Sequence, residues 1–288
     1  MKLVLLRATL GVALLFSGPS LFAQTKNGKS ETYKDIIEKA YNLSLQRDRQ
    51  QALNILSSAI QKETRPQAIA ELKKTVSEVS TIFFSDKAQQ LFETGVSLRK
   101  TDVNQAFDKV SEASRIEPDN FSIVNELARL MIAKGDCKNA QETVQKQLTL
   151  VSFDEDLKLS MAQALACQGK WMEYQKVADT VAMKKSPQQK FWLALEMDKF
   201  LSAKNLTKAQ EALGTLKKAD EKYPESFYWI WKFDQAQKKS NLDIAQKYVM
   251  TCKNISANQY RQYMIDPMLC RRLIEVESEL KGMNGTSE

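Results

Sequence analysis

A chain of 288 residues without a single histidine lacks the side chain that most often moves protons near neutral pH. The Ser/His and Cys/His nucleophile pairs and the usual zinc sites go with it. A formal net charge of +7 comes with lysines and acids interleaved along most segments, which describes a solvated surface and not a nucleic-acid footprint.

Nine glycines and six prolines stand in a chain rich in Ala, Leu, Lys, Gln and Glu, so an all-α fold is expected. No glycines cluster as a phosphate-cradling loop requires. Neither a cofactor nor a metal is expected, and Asp154-Glu155-Asp156 and Asp220-Glu221 read as acidic groups at helix starts.

Lys2 and Arg7 bracket the start of an apolar run from Leu3 to Phe16, followed by Ser17-Gly18-Pro19-Ser20 and Leu21-Phe22-Ala23-Gln24. A basic start, an apolar stretch too short to span a bilayer and a small residue at the cut site describe a secretory signal peptide, residues 1–23, cleaved after Ala23. An exported, periplasmic protein with no transmembrane span after cleavage is expected. Residues 24–31 read as a flexible lead-in.

Over 32–84 the chain predicts a helical hairpin and one further helix. Tyr33, Ile36, Ile37, Ala40, Tyr41 and Leu43 share one helical face, and Arg47 to Ala52 form a turn. Leu53, Leu56, Ala59 and Ile60 then point inward from the second helix. Pro66 opens the extra helix or decayed repeat, with Ile69, Leu72, Val76 and Val79 along one side.

From Ser85 to about residue 254 the pattern becomes regular. Gly135 can close one helix in the left-handed conformation, Asp136 can cap the next, and Ala140 allows close packing. The same pattern stands 34 residues earlier at Thr101 to Ala106 and 34 residues later at Gly169 to Tyr174, a period that marks stacked helical hairpins. One hairpin runs from about Asp86 to Glu117. Later ones open at Ser152, with Glu155 completing a capping box, and at Ser186-Pro187-Gln188-Gln189. An aromatic-rich hairpin around Phe227, Tyr228 and Trp229 follows, and Trp229 and Phe233 are expected in the core. Residues 255–288 are expected to hold a capping helix, from Asp266-Pro267 to about Lys281, and a tail.

Cys137 opens the second helix of one repeat and Cys167 closes the first helix of the next, at the same end of adjacent helices. A Cys137–Cys167 disulfide is therefore expected in an exported chain, and Cys252–Cys270 as a second bridge tying down the C-terminal helix. The alternative is buried thiols acting as small hydrophobes.

Ala106, Val110, Ala113 and Pro118 resemble the second half of a tetratricopeptide repeat, and Val124, Leu127, Ala128 and Met131 its first half. The resemblance covers residues 86–254 well and 32–63 less well, and it departs at Tyr174, where a small residue belongs. It implies a right-handed superhelical array of helical hairpins, an α-solenoid whose concave groove is lined by the first helix of each repeat.

Groove positions are expected at Asn125, Arg129, Ile132, Leu159, Gln163, Ala194, Asp198, Phe227, Ile230 and Asp234. Asn and Arg there suit a peptide backbone or carboxylate, and the apolar positions suit side chains. The expected function is a non-enzymatic adaptor that binds a protein or peptide, with no nucleic acid as partner. Two alternatives are a cell-wall glycan binder or glycan-acting helical enzyme, and a self-associating structural protein of the envelope.

Overall fold

Asp48, Ser85, Asp102, Asn120, Asn205 and Ser256 each accept a hydrogen bond from a main-chain N–H two or three residues ahead, and a helix starts directly after each of them. They satisfy donors that a helix start would otherwise leave orphaned. The computed structural model describes residues 31–284. The expected signal peptide and nearly all of the lead-in lie outside the described residues.

The helices are α1 (Tyr33–Leu45), α2 (Arg49–Lys62), α3 (Pro66–Thr81), α4 (Asp86–Leu98), α5 (Val103–Ile116), α6 (Phe121–Ala133), α7 (Cys137–Leu148) and α8 (Glu155–Cys167). They continue as α9 (Trp171–Ala178), α10 (Gln189–Ser202), α11 (Leu206–Ala219), α12 (Pro224–Ala236), α13 (Leu242–Asn254), α14 (Ala257–Tyr263) and α15 (Leu273–Asn284). There is no strand among the described residues. Consecutive helices pack in pairs, α1 on α2, α4 on α5, and so on to α12 on α13. The first helices α6, α8, α10 and α12 also pack on one another in succession. The protein is an all-α solenoid, and no helix among the described residues is long and apolar enough to cross a membrane.

One turn recurs through the array. Arg47, Gly135, Gly169, Lys204 and Lys238 all have positive φ, between 54° and 83°. In each case the following N–H reaches back to the carbonyl five residues earlier: Asp48 to Leu43, Asp136 to Met131, Lys170 to Leu165, Asn205 to Phe200 and Lys239 to Asp234. This is the Schellman closure of a helix. Only two of the five positions are glycine, so the repeat in backbone geometry is more regular than the repeat in sequence.

Several boundaries depart from expectation. The third hairpin opens on Asp154, whose carboxylate accepts from the Leu157 N–H, and not on Ser152. Gln188 precedes α10 after a short 3-10 turn, Met183–Lys185, and the Ser186 hydroxyl accepts from the Gln188 N–H. Asp136 sits at the start of α7 but accepts from the Asn139 side chain and caps no main-chain N–H. The last helix begins at Leu273 and not at Asp266, because 255–272 is spent on α14 and on a run of turns.

α3 is an additional helix that packs on α1, α2 and α6. Arg49, fully buried, holds this junction. It donates to the Val79 carbonyl at 3.2 Å and to Glu117 at 2.8 Å, and also bonds Asp119 and the Ile82 carbonyl. Glu117 in turn accepts from the Phe84 and Ser85 N–H groups. The α4–α5 hairpin shares a smaller apolar cluster with α6, around Ala106, Val110 and Leu130. The remaining helices share one continuous core. Gly95 makes the α4–α5 contact tight, since an added Cβ there would lie 2.5 Å from the Val110 side chain.

Both expected disulfides form, Cys137 with Cys167 and Cys252 with Cys270.

Candidate functional site

The inner face of the array is built from α4, α6, α8, α10 and α12, and it is not empty. The C-terminal segment from Ile255 to Arg272 returns along it. Arg99, at the end of α4, donates to the Asp266 carbonyl at 3.1 Å, and Arg271 returns a bond to the Arg99 carbonyl at 3.3 Å. Lys100 donates to the Ile255 carbonyl at 2.8 Å, and the Gln163 amide on α8 to the Ile265 carbonyl at 3.0 Å. The Tyr223 hydroxyl, just before α12, bonds the Asp266 carboxylate.

Two buried ion pairs anchor this segment. Arg99 forks onto Glu126 of α6 at 2.9 and 3.0 Å, with both side chains almost fully buried. Arg272 pairs with Glu225 at 2.8 Å. Glu225 also accepts from the Cys270 N–H at 2.7 Å and the Tyr248 hydroxyl at 3.2 Å. Burial pushes the Glu225 carboxyl up to about 7, against the pull of the Arg272 guanidinium. Each charge here has its partners, as charges out of water require.

Two clefts of about 210 Å³ each remain between this segment and the helices. The first is walled by Ile132, Phe191, Ala194, Trp229 and Met268, with Gln163, Asp198, Asp266 and Arg272 as its polar members. The second lies between α3, α6 and the start of α8, and contains Asn125, Glu126, Arg129, Asp154 and Ile265.

Asn125 and Arg129 stand one turn apart on α6. The Asn125 side-chain oxygen accepts from the Ser160 hydroxyl at 2.7 Å. Arg129 is 9 % exposed, its Nε has no hydrogen-bond partner, and its nearest carboxylate, Glu126 at 4.0 Å, already serves Arg99. Burial lowers its guanidinium pKa.

Six of the ten positions expected in the groove therefore line these clefts: Ile132, Gln163, Ala194 and Asp198 the first, Asn125 and Arg129 the second. Leu159 is fully buried in the core, because α8 is surrounded on nearly every side and presents no polar face at that position. Phe227 lies half-buried beneath the Lys247 ammonium, and Asp234 accepts from the Asn241 amide near the end of α12. Ile230 packs half-buried against the core. Trp229 and Phe233 are buried in the core as expected, Trp229 also bordering the first cleft, and Tyr228 is enclosed by Trp229, Trp231 and Tyr248.

Arg99, Tyr223, Glu225, Asp266 and Arg272 were not legible as inner-face residues, since each acts through a contact distant in sequence. The break at Asp266-Pro267 was the one local signal. Glu225 also converges with Cys252 and Cys270 within 4.8 Å. The two sulfurs are bonded to each other, which removes them as a thiolate ligand pair.

No family model matches the chain, and no curated protein matches it either.

Proposed function

We propose that the protein is an exported, tetratricopeptide-like adaptor that binds a segment of a protein or peptide along the inner face of its helical array. One observation carries this reading. Arg99 and Gln163 already bind polypeptide there through main-chain carbonyls, those of Asp266 and Ile265, so the face has the donors that recognise an extended or turning backbone.

Asn125 and Arg129 add donor capacity for a partner's backbone or carboxylate in the neighbouring cleft. The two disulfides fit an oxidising compartment such as the periplasm. Tyr228 is enclosed and Phe227 lies beneath the Lys247 ammonium, so these two rings do not offer the sugar platform of the glycan reading.

The test is a cross-linking pull-down from the native envelope fraction, with the mature protein beside an Asn125→Ala/Arg129→Ala variant. One dominant protein captured by the first and lost by the second supports the adaptor. Equal capture by both, or glycan fragments in place of protein, removes it.

A further inference from the structure

The first cleft has an imbalance that its own residues do not resolve. Two carboxylates, Asp198 and Asp266, line it beside one guanidinium, Arg272, which a third carboxylate outside the lining, Glu225, already engages. Glu225 takes the Arg272 ion pair at 2.8 Å, and Asp266 is met by the Tyr223 hydroxyl and the Met268 N–H. Among the described residues Asp198 is met by the Ser202 hydroxyl alone, at 3.5 Å. Burial raises its carboxyl pKa, and the attraction of Arg272 offsets this only in part.

A second, independent feature points the same way. Gln163 is 4 % exposed, its amide nitrogen is used by the Ile265 carbonyl, and its Oε1 is left without any donor. A buried acceptor without a donor costs free energy that a ligand donor can recover. Around these groups the wall is apolar and aromatic, formed by Ile132, Phe191, Ala194 and Trp229. A volume of about 210 Å³ has room for one long side chain. Arg272 is held away as a competing donor, paired with Glu225 and stacked over the Tyr228 and Trp229 rings at 4.5 and 5.2 Å.

We propose that this cleft is a subsite for one lysine or arginine side chain of a bound polypeptide, with its methylenes against Phe191 and Trp229 and its charged end toward Asp198 and Gln163. The subsite rests on the reading of the inner face as a polypeptide-binding surface and names the chemistry that surface selects. A hydrocarbon side chain of the same length would leave the Asp198 charge desolvated and unpaired.

The probes are Nα-acetyl-lysine N-methylamide and its norleucine counterpart, titrated into the full mature protein and followed at the Trp229 indole by NMR. Saturable binding of the lysine probe is expected, at least tenfold weaker for norleucine. The preference should vanish in Asp198→Asn, whose unchanged thermal unfolding would certify the fold. Equal binding of both probes, an unaltered preference in Asp198→Asn, or no saturable binding of the lysine probe would overturn the subsite.

The two readings fail separately. Protein capture that depends on Asn125 and Arg129, without a lysine preference, leaves the adaptor standing and removes the subsite. A lysine preference that depends on Asp198, with no protein captured, does the reverse.

Discussion

The Arg99 guanidinium donates to the main-chain carbonyl of Asp266, 167 positions further along the chain, at 3.1 Å. That one bond joins the first regular hairpin to the segment that closes the groove, and the same guanidinium forks onto Glu126.

Arg99→Ala therefore breaks two things at once. It frees the Asp266 carbonyl and leaves Glu126, 1 % exposed, with the Arg129 guanidinium at 4.0 Å as its remaining cation. A loss of about 3 kcal/mol, the low end for breaking a buried pair, is expected because Arg129 still faces the carboxylate, read as a shift of the denaturant midpoint. Arg99→Met combined with Glu126→Leu removes that pair but takes from buried Arg129 its carboxylate at 4.0 Å, so it should regain only part of that stability. Amide exchange across 264–272 should remain fast in the double variant, because the Asp266 bond is still missing.

The contrast between these two readouts also marks what the sequence makes legible. Gly135, Gly169 and both cysteine pairs could be read because each depends on neighbours within one hairpin or on the known end of an adjacent helix. The return of 255–272 could not be, because its bonds run from Arg99, Lys100 and Gln163 to main-chain carbonyls, which carry no sequence signal. Leu159 lies in the core and not in the groove for a related reason. Amphipathic spacing identifies a groove face only where a helix has one exposed side, and α8 is buried almost all round. Gln163 on the same helix meets the cleft because the C-terminal segment supplies its partner.

The Cys252–Cys270 bridge closes a loop of separation 18 that contains α14 and most of the returning segment. Cys252→Ser/Cys270→Ser should cost about 3 kcal/mol on loop-closure grounds. It should also raise hydrogen exchange and proteolysis between residues 255 and 272. Cys137→Ser/Cys167→Ser removes a bridge of separation 30 with a comparable stability cost, and should leave protection of 255–272 unchanged. Exchange measured by mass spectrometry on the two variants separates a local latch from a general loss of stability.

Lys204 occupies, at φ 54°, the same turn position that Gly135 occupies at φ 83°. A side chain in this region costs about 1–2 kcal/mol relative to glycine, and glycine gives part of that back through the freedom of the unfolded chain. Lys204→Gly should accordingly leave stability unchanged or raise it by up to about 1 kcal/mol. Gly135→Ala, with no neighbour within 4 Å of the added carbon, should lower it by about 1 kcal/mol through backbone strain alone. Thermal unfolding of the two variants beside the parent protein tests whether one turn geometry serves both hairpins.

Asp154 supplies a pH dependence with a definite sign. Burial pushes its carboxyl up to about 6 from the ordinary 3.8, with further repulsion from Asp156 and Glu155, although the Leu157 N–H it caps works the other way. A raised pKa means the folded protein holds this proton more tightly than the unfolded chain does. The resulting stability is complete below the ordinary carboxylate range and is lost as pH rises through about 6. Asparagine keeps the capping oxygen and never ionises. Asp154→Asn should therefore match the parent near pH 4, and above pH 7 exceed it by up to about 2–3 kcal/mol, the equivalent of the shift. Denaturant midpoints for both proteins across that range test the sign: a variant that loses ground as pH rises would mean that Asp154 is stabilised as the anion.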